Sequence, residues 1–427
     1  MGQGVLTEAF AHRDGALFCE DVPAETLAIA AGTPTFVYSA SVLRDRYRRL
    51  SDAIAGCAGR IHYSMKANGN RAVITLLREI GSGVDVVSGG ELARALRAGF
   101  DGNDIVFGGV GKTAMEMREA LHAKVKLINV ESEAELSLLN DIARDLGSVA
   151  PVGLRVNPEV AVANAHHYIA TGERGHKFGI PFAEAGGVAR VALAMSNVNL
   201  LGLDMHVGSQ LATLEPYRDG VVRLSALARE LRSAGVAIRY LDVGGGLPVV
   251  YDHDDVEPDL VGFGSIMRAA IKDLGLELIV EPGRFFAADS GVLLTRVLYR
   301  KESGGRRYVI VDAGMNDLLR PSHYDAFHRI DAVRPSGRRV TADIVGPVCE
   351  TGDFLALGRE VDDVVPGDLM VVHGAGAYGY VMSSNYNARP RAAEVMVDGH
   401  RHAVVTLRES HDDLMRLEVE DPNWRDA

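Results

Sequence analysis

From about residue 60 to 285, strand-like apolar runs alternate with amphipathic helical stretches eight times, and this repeat limits the possible fold more than any other feature of the chain. The runs are "IHYSMKA" (61–67), "GVDVVS" (83–88), "DIVFGG" (104–109), "KLINVES" (126–132), "PVGLRVNP" (151–158), "LLGLDMHVGS" (200–209), "IRYLDVGGG" (238–246) and "LELIVEPG" (276–283). Segments such as "NRAVITLLREIG" and "VVRLSALARELRSAG" connect them, and several end at a glycine suited to a helix C-terminus. Strands separated by helices pair in parallel, and eight of them close a barrel. A doubly wound open sheet rarely needs eight consecutive repeats, so the expected fold class is α/β, a (β/α)8 TIM-like barrel over residues 33–285. That range takes in "TPTFVYSASVLRDRYRRLSDAI", an extra strand and helix that keep the strand count alone from being decisive. Beyond residue 286 the chain becomes short strands cut by Gly, Pro and Asp turns, which predicts a C-terminal antiparallel β domain over 286–427. Residues 1–32 are expected to pack on that domain.

At 427 residues, 47% of them hydrophobic, the chain has enough material for two full cores. A net charge of −12 argues against nucleic acid or an anionic membrane as partner. The cysteines are Cys19, Cys57 and Cys349, an odd number without metal-ligand spacing, so neither a disulfide framework nor a zinc site is expected. No run approaches the roughly 18 apolar residues of a membrane span. The opening "MGQGVLTEAF" lacks a signal-peptide pattern, and Leu6 breaks the myristoylation pattern. A cytoplasmic protein with no metal is the expectation.

Barrel active sites gather at the C-terminal ends of the strands. Here those ends carry Lys66, Asp85, Ser88, Arg155, His206, Ser209, Gly244-Gly245-Gly246, Glu281 and Arg284. Two other motifs mislead. "GGVGKT" (108–113) resembles a phosphate-binding loop, but the pattern requires glycine where Val106 stands. "GAGAYG" (374–379) fits G-x-G-x-x-G, yet "YVMSSNYNARPR" after it is a poor helix, so the dinucleotide unit is missing. The histidines of "NAHHY" and "DHDD" have no partner at metal-ligand spacing and are read as loop residues.

A lysine at a strand end has two readings: an ordinary surface lysine, or a Schiff-base lysine holding pyridoxal 5′-phosphate (PLP). "DVGGGLP" would let the backbone come close to a phosphate, and Glu281 of "VEPGR" could keep a pyridine nitrogen protonated. His206 could stack on the ring, or could simply be a core or capping histidine.

The stretches "HYSMKAN", "VDVVSGGEL", "HVGSQ", "DVGGGL", "EPGRF", "GPVCETGD" and "GAYGY" together resemble the alanine-racemase-like (fold type III) PLP-dependent decarboxylases. "DAGMNDLLRPSHYDAFH" (312–328), "GPVCETGD" (346–353) and "GAYGYVMSSNYNARPRAAEV" (376–395) are similar in particular to the diaminopimelate decarboxylase branch. The resemblance runs from "GTPTFVYS" to the C-terminal strands. It implies that Lys66 forms the Schiff base with PLP, that His206 stacks on the cofactor and that Glu281 pairs with the ring nitrogen. It also places Asp85, Ser209, Gly244, Gly245, Gly246, Gly283, Arg284 and Tyr378 around the cofactor. Arg284, Arg320, Tyr324, Glu350 and Tyr378 would hold the substrate, an amino acid. In that family Cys349 and Glu350 reach across a homodimer interface, and Cys349 returns a proton to Cα. The activity implied is decarboxylation of meso-2,6-diaminopimelate to L-lysine and CO2, the last step of lysine biosynthesis.

One departure stands out. The frame "NPEVAVANAHHYIATGERGHKFGI" (157–180) is kept, but Ala161 to Ala165 lacks the acidic and Thr residues expected there, which puts substrate discrimination in question. The competing readings are a sister decarboxylase acting on D-lysine, ornithine, carboxynorspermidine or a siderophore precursor, an amino acid racemase, and a non-catalytic PLP carrier. Arg320 and Tyr324 speak against the first, since a substrate without a distal carboxylate has no use for that arginine.

Overall fold

The computed structural model describes residues 9–160, 175–252, 255–422 and 424–425. It divides into two compact units, one spanning Ala40–Asp289 and the other joining the chain up to Ser39 with Ser290 and beyond.

The first unit is the barrel. Its strands are Gly59–Ser64, Gly83–Val86, Ile105–Phe107, Leu127–Val130, Ala150–Asn157, Val198–Asp204, Tyr240–Asp242 and Glu277–Val280. Each pairs in parallel with the next, and Glu277–Val280 pairs with Gly59–Ser64 to close the ring. Their sequences are near-continuous apolar runs because side chains on both faces are covered, inside by the barrel core and outside by helices. Val106, Leu127 and Ile279 form part of that core, with Leu201 and Tyr240 packed against it.

Several helices start where the sequence supplies a capping side chain. Asn70 accepts from Ala72 N, Ser88 from Glu91 N, Ser132 from Glu135 N, and Thr113 forms a capping box with Glu116. At the far end of the helix Glu215–Ser233, Gly235 turns the chain at φ +89°, a conformation that only glycine adopts without strain. The helix Ala40–Ala53 packs against the helices Arg71–Glu79 and Leu260–Ile271 and so completes the outer ring.

The second unit is built on a nine-stranded sheet. Most of its pairs are antiparallel, as in Gly291–Ser303 with Arg306–Val311 and Arg339–Val345 with Phe354–Asp362. Two are parallel: Thr35–Ser39 with Ala393–Asp398, and Arg306–Val311 with Arg339–Val345. The first of these corrects the expected boundary at residue 33. Thr35–Ser39 is not a barrel strand; it lies between Gly291–Ser303 and Ala393–Asp398, with all five residues buried. Its apolar run suits either sheet, and only the long-range pairing decides. Ahead of it, Phe10–Arg13, Ala16–Cys19 and Val22–Pro23 form a three-stranded meander. Leu17 N donates to Val333 O at 2.8 Å, and Glu20 accepts from Gly399 N at 2.5 Å and from Ser39 Oγ at 2.6 Å.

Candidate active site

The first strand of the barrel ends at Ser64 and runs into a short 3-10 turn, Met65–Ala67. Met65 and Ala67 point into the core, which leaves Lys66 exposed between them. Its amine lies 3.2 Å from Asp85 Oδ2, on the next strand. Ser64 Oγ donates to the same oxygen at 2.5 Å, consistent with the Ser64–Asp85 strand register. Asp85 is buried, so its carboxylate has few ways to meet water and serves as an anchor for the amine.

On the other side of the first strand, three carboxyls converge. Asp204 and Asp242 end the sixth and seventh strands, Glu281 directly follows the eighth, and one carboxyl oxygen from each lies within 4.8 Å of the other two. Burial, and then the neighbouring acids, push Asp242 and Glu281 well above the usual carboxyl range. Burial also raises Asp204, to about 7, while the Arg155 guanidinium 3.8 Å away opposes that rise. Asp242 and Glu281 share a side-chain hydrogen bond. Three such groups beside a single guanidinium resist ionising together, and Arg155 offsets part of the charge they carry.

Arg155 is itself pinned to Glu131 at 3.0 Å, and its guanidinium stacks over Phe178. The other oxygen of Glu131 accepts from Gly179 N at 2.9 Å, tying down the chain after residue 175. Residues 161–165, where the sequence departs from the family frame, lie outside the described residues, as do His166, His167 and His253.

The glycine turn fits tightly between strand ends. Asp242 Oδ1 accepts from Gly244 N at 3.0 Å, and Gly244 O from Glu281 N at 2.7 Å. A Cβ at Gly245 would collide with Glu281 O, and one at Gly246 with Gly208 O. These glycines are therefore required by the protein's own backbone, a reason beyond the close phosphate approach that the sequence suggested. His206 Nδ1 takes the Gly245 N–H at 3.3 Å, so its proton belongs on Nε2. Burial, then Arg155 and Lys66, push its pKa well below the ordinary histidine value, keeping the ring neutral. Farther along the rim, Arg284 donates from Nε and Nη2 to Ser209 Oγ at 3.3 and 3.2 Å, and from Nη1 to Tyr251 OH at 3.0 Å. Gly283 lies against Ala67 and Ser64, and a Cβ there would come within 3.1 Å of both side chains.

Lys66, Asp85, His206, Ser209, Gly244 to Gly246, Glu281, Gly283 and Arg284 thus belong to one barrel end. The misleading "GGVGKT" motif does not join them. Lys112 is buried and donates to Gly109 O, Asn129 O and Glu135 Oε1 at 2.6, 2.7 and 2.6 Å. That lysine is a structural brace.

The remaining candidates, Arg320, Tyr324, Cys349, Glu350 and Tyr378, are in the second unit. Arg320 and Tyr324 are the two ends of the short helix Arg320–Tyr324. The Arg320 guanidinium is buried and lies 3.0 Å from His328 Nε2. Cys349 and Glu350 are exposed on a turn in which Cys349 N donates to Asn387 Oδ1 at 2.8 Å and Glu350 hydrogen-bonds Tyr386. Asp353 braces this turn from beneath, accepting from Val348 N and Met315 N at 2.6 Å each. Tyr378 adopts φ +57° just before the 3-10 turn Tyr380–Met382, so no helix follows "GAGAYG".

Asp204, Asp242, Tyr251, Asp353 and Asn387 were not singled out from the sequence. For two of them a signal existed: Asp204 and Asp242 are acids that close apolar strands, two residues ahead of His206 and Gly244.

Comparison with known proteins fixes the family. The model of the pyridoxal-binding domain of pyridoxal-dependent decarboxylases matches residues 40–288. A diaminopimelate decarboxylase of Pseudomonas fluorescens is 48% identical, over 94% of this chain and 97% of its own. One from Vibrio cholerae is 47% identical, over 95% of this chain and 97% of its own. The crystal structure of diaminopimelate decarboxylase from Helicobacter pylori, complexed with L-lysine, superposes with a TM-score of 0.89 at 38% identity, covering 92% of this chain and 99% of that one. A barrel whose rim carries a lysine amine and a buried acid, matched over nearly its whole length in this way, belongs to the pyridoxal-dependent decarboxylases, in the diaminopimelate decarboxylase family.

Proposed function

We propose that this enzyme removes one carboxyl group from meso-2,6-diaminopimelate, releasing L-lysine and CO2. The observation that carries the reading is the meeting, at one barrel end, of an accessible amine, Lys66, with an acid, Glu281, that lies against Asp242 and Asp204 and whose proton affinity is raised by its burial and by those neighbours. The donor set fits PLP: an amine for its aldehyde, a proton-holding carboxyl for its ring nitrogen, and a neutral imidazole, His206, to lie against an aromatic face. Gly245, Gly246, Ser209 and Gly283 would hold the phosphate, with Arg284 and Tyr378 beside it. Bound PLP supplies an electron-accepting pyridinium ring for the electron pair released when the Cα–carboxylate bond breaks.

The chain's own groups do the rest. Asp85 orients the Lys66 amine, and Glu281 holds a proton at the ring nitrogen. Arg320, Tyr324 and Tyr378 would take the distal carboxylate, and Glu350 the distal ammonium, so that the end not reacting is read as a zwitterion. The Cys349 thiol would deliver a proton to Cα, on the position the CO2 has left. We place Cys349 and Glu350 in the site of a second subunit of a homodimer; their exposure on the isolated chain supports this. A cytoplasmic location accords with three cysteines that are all free.

The test is lysine release from meso-diaminopimelate by purified, PLP-loaded protein, with L-ornithine and D-lysine run alongside. Lysine formed from diaminopimelate, with neither other compound consumed, is the expected result. A bound PLP band with no lysine formed would move the assignment to a sister decarboxylase.

A further inference from the structure

An imidazole faces Arg320. Arg320 Nη1 lies 3.0 Å from His328 Nε2, and His328 Nδ1 lies 2.8 Å from His373 O. A backbone carbonyl only accepts, so Nδ1 carries the proton and Nε2 offers its lone pair to the guanidinium. Arg320 and His328 are both buried. The turn that brings them together starts at Asp325, at φ +50°, where Ala326 N donates back to Arg320 O at 3.3 Å. The strand that follows, Ile330–Ala332, carries Asp331, which is engaged by Arg329 at 2.7 Å and His373 at 3.2 Å.

A neutral acceptor differs from an acid in one respect. A carboxylate would orient the guanidinium and cancel its charge together, competing with any incoming carboxylate. An imidazole lone pair orients it and cancels none of its charge. We infer that His328 is a positioning residue that fixes the plane of Arg320 for a substrate carboxylate without neutralising it. This rests on the proposed role of Arg320 in binding the distal carboxylate.

The test compares three variants of the PLP-loaded enzyme. His328→Asn keeps an amide donor for His373 O but has no acceptor at the depth of Nε2. His328→Gln carries an acceptor to that depth. Arg320→Ala removes the guanidinium. KM and kcat for meso-diaminopimelate are measured for each, with L-lysine affinity by calorimetry as a readout independent of turnover. His328→Asn should raise KM and weaken L-lysine binding about tenfold or more, leave kcat within a few-fold, and be largely rescued in His328→Gln. Unchanged KM and L-lysine affinity in His328→Asn, with both impaired in Arg320→Ala, would overturn the role of His328. So would a fall in kcat and thermal stability that His328→Gln repairs no better than His328→Asn. If Arg320→Ala itself leaves KM and L-lysine affinity intact, the reading of Arg320 fails first, and the inference with it.

Discussion

The barrel rim and the loops of the second unit contribute to the proposed chemistry by opposite means. At the rim, ionisable side chains hold one another: the exposed Lys66 on the buried Asp85, Glu281 on Asp242, Arg155 between Glu131 and Asp204. In the second unit Cys349 and Glu350 are exposed, and fixed contacts of the backbone hold their turn, such as Cys349 N to Asn387 and Val348 N to Asp353. A buried charge cluster sets protonation states, which a cofactor needs. A braced but exposed turn presents side chains outward, which a site shared between subunits would need.

The sharpest break in this comparison is Lys66→Ala. It should remove the visible absorbance band of protein-bound PLP and reduce lysine release to background; a retained band would place the cofactor elsewhere. Cys349→Ala should leave that band and the substrate KM intact while lowering kcat by about 10²–10⁴-fold. An unchanged kcat would remove the second unit from the proton-transfer step.

Lys112→Met tests whether buried charge in the barrel serves structure rather than ligand. With Glu135, only 10% exposed, left without its cation and holding only the Glu131 N–H, denaturant unfolding should show a loss of about 3–5 kcal/mol, with PLP binding unaltered in the folded protein. Loss of PLP binding at unchanged stability would contradict the bracing role.

The smallest effect concerns Glu91, whose pKa burial raises from 4.5 to about 7 while Val87 N donates to it at 2.8 Å. Between those values the folded chain binds more protons than the unfolded chain, so Glu91 subtracts stability as pH rises and does so fully above about pH 7. Glu91→Gln keeps an acceptor for Val87 and should gain up to about 3 kcal/mol over the parent above that pH, and nothing below pH 4.5. A gain independent of pH would point to some cause other than charge.

The eight strands and the barrel were legible in the sequence because each apolar run is local and several of the connecting helices end at their own glycine. Lys66, His206 and Glu281 were legible for the same reason, since strand ends are readable one at a time. The carboxyl cluster was not, because it exists only once the sixth, seventh and eighth strands stand side by side. Asn387 was hidden likewise: it reaches Cys349 from 38 residues away. The strand Thr35–Ser39 was misassigned because five buried residues say that a strand is covered without saying by which sheet.

That strand has a consequence for synthesis of the protein. Its two neighbours begin at Gly291 and Ala393, so a growing chain makes Thr35–Ser39 long before anything can pair with it. The barrel, whose strands adjoin in order, can close while this early strand still waits on the ribosome with its edges open. A nascent chain stalled before Ala393 would therefore carry a finished barrel and an unpaired apolar edge, the kind of surface that chaperones bind and that aggregates recruit.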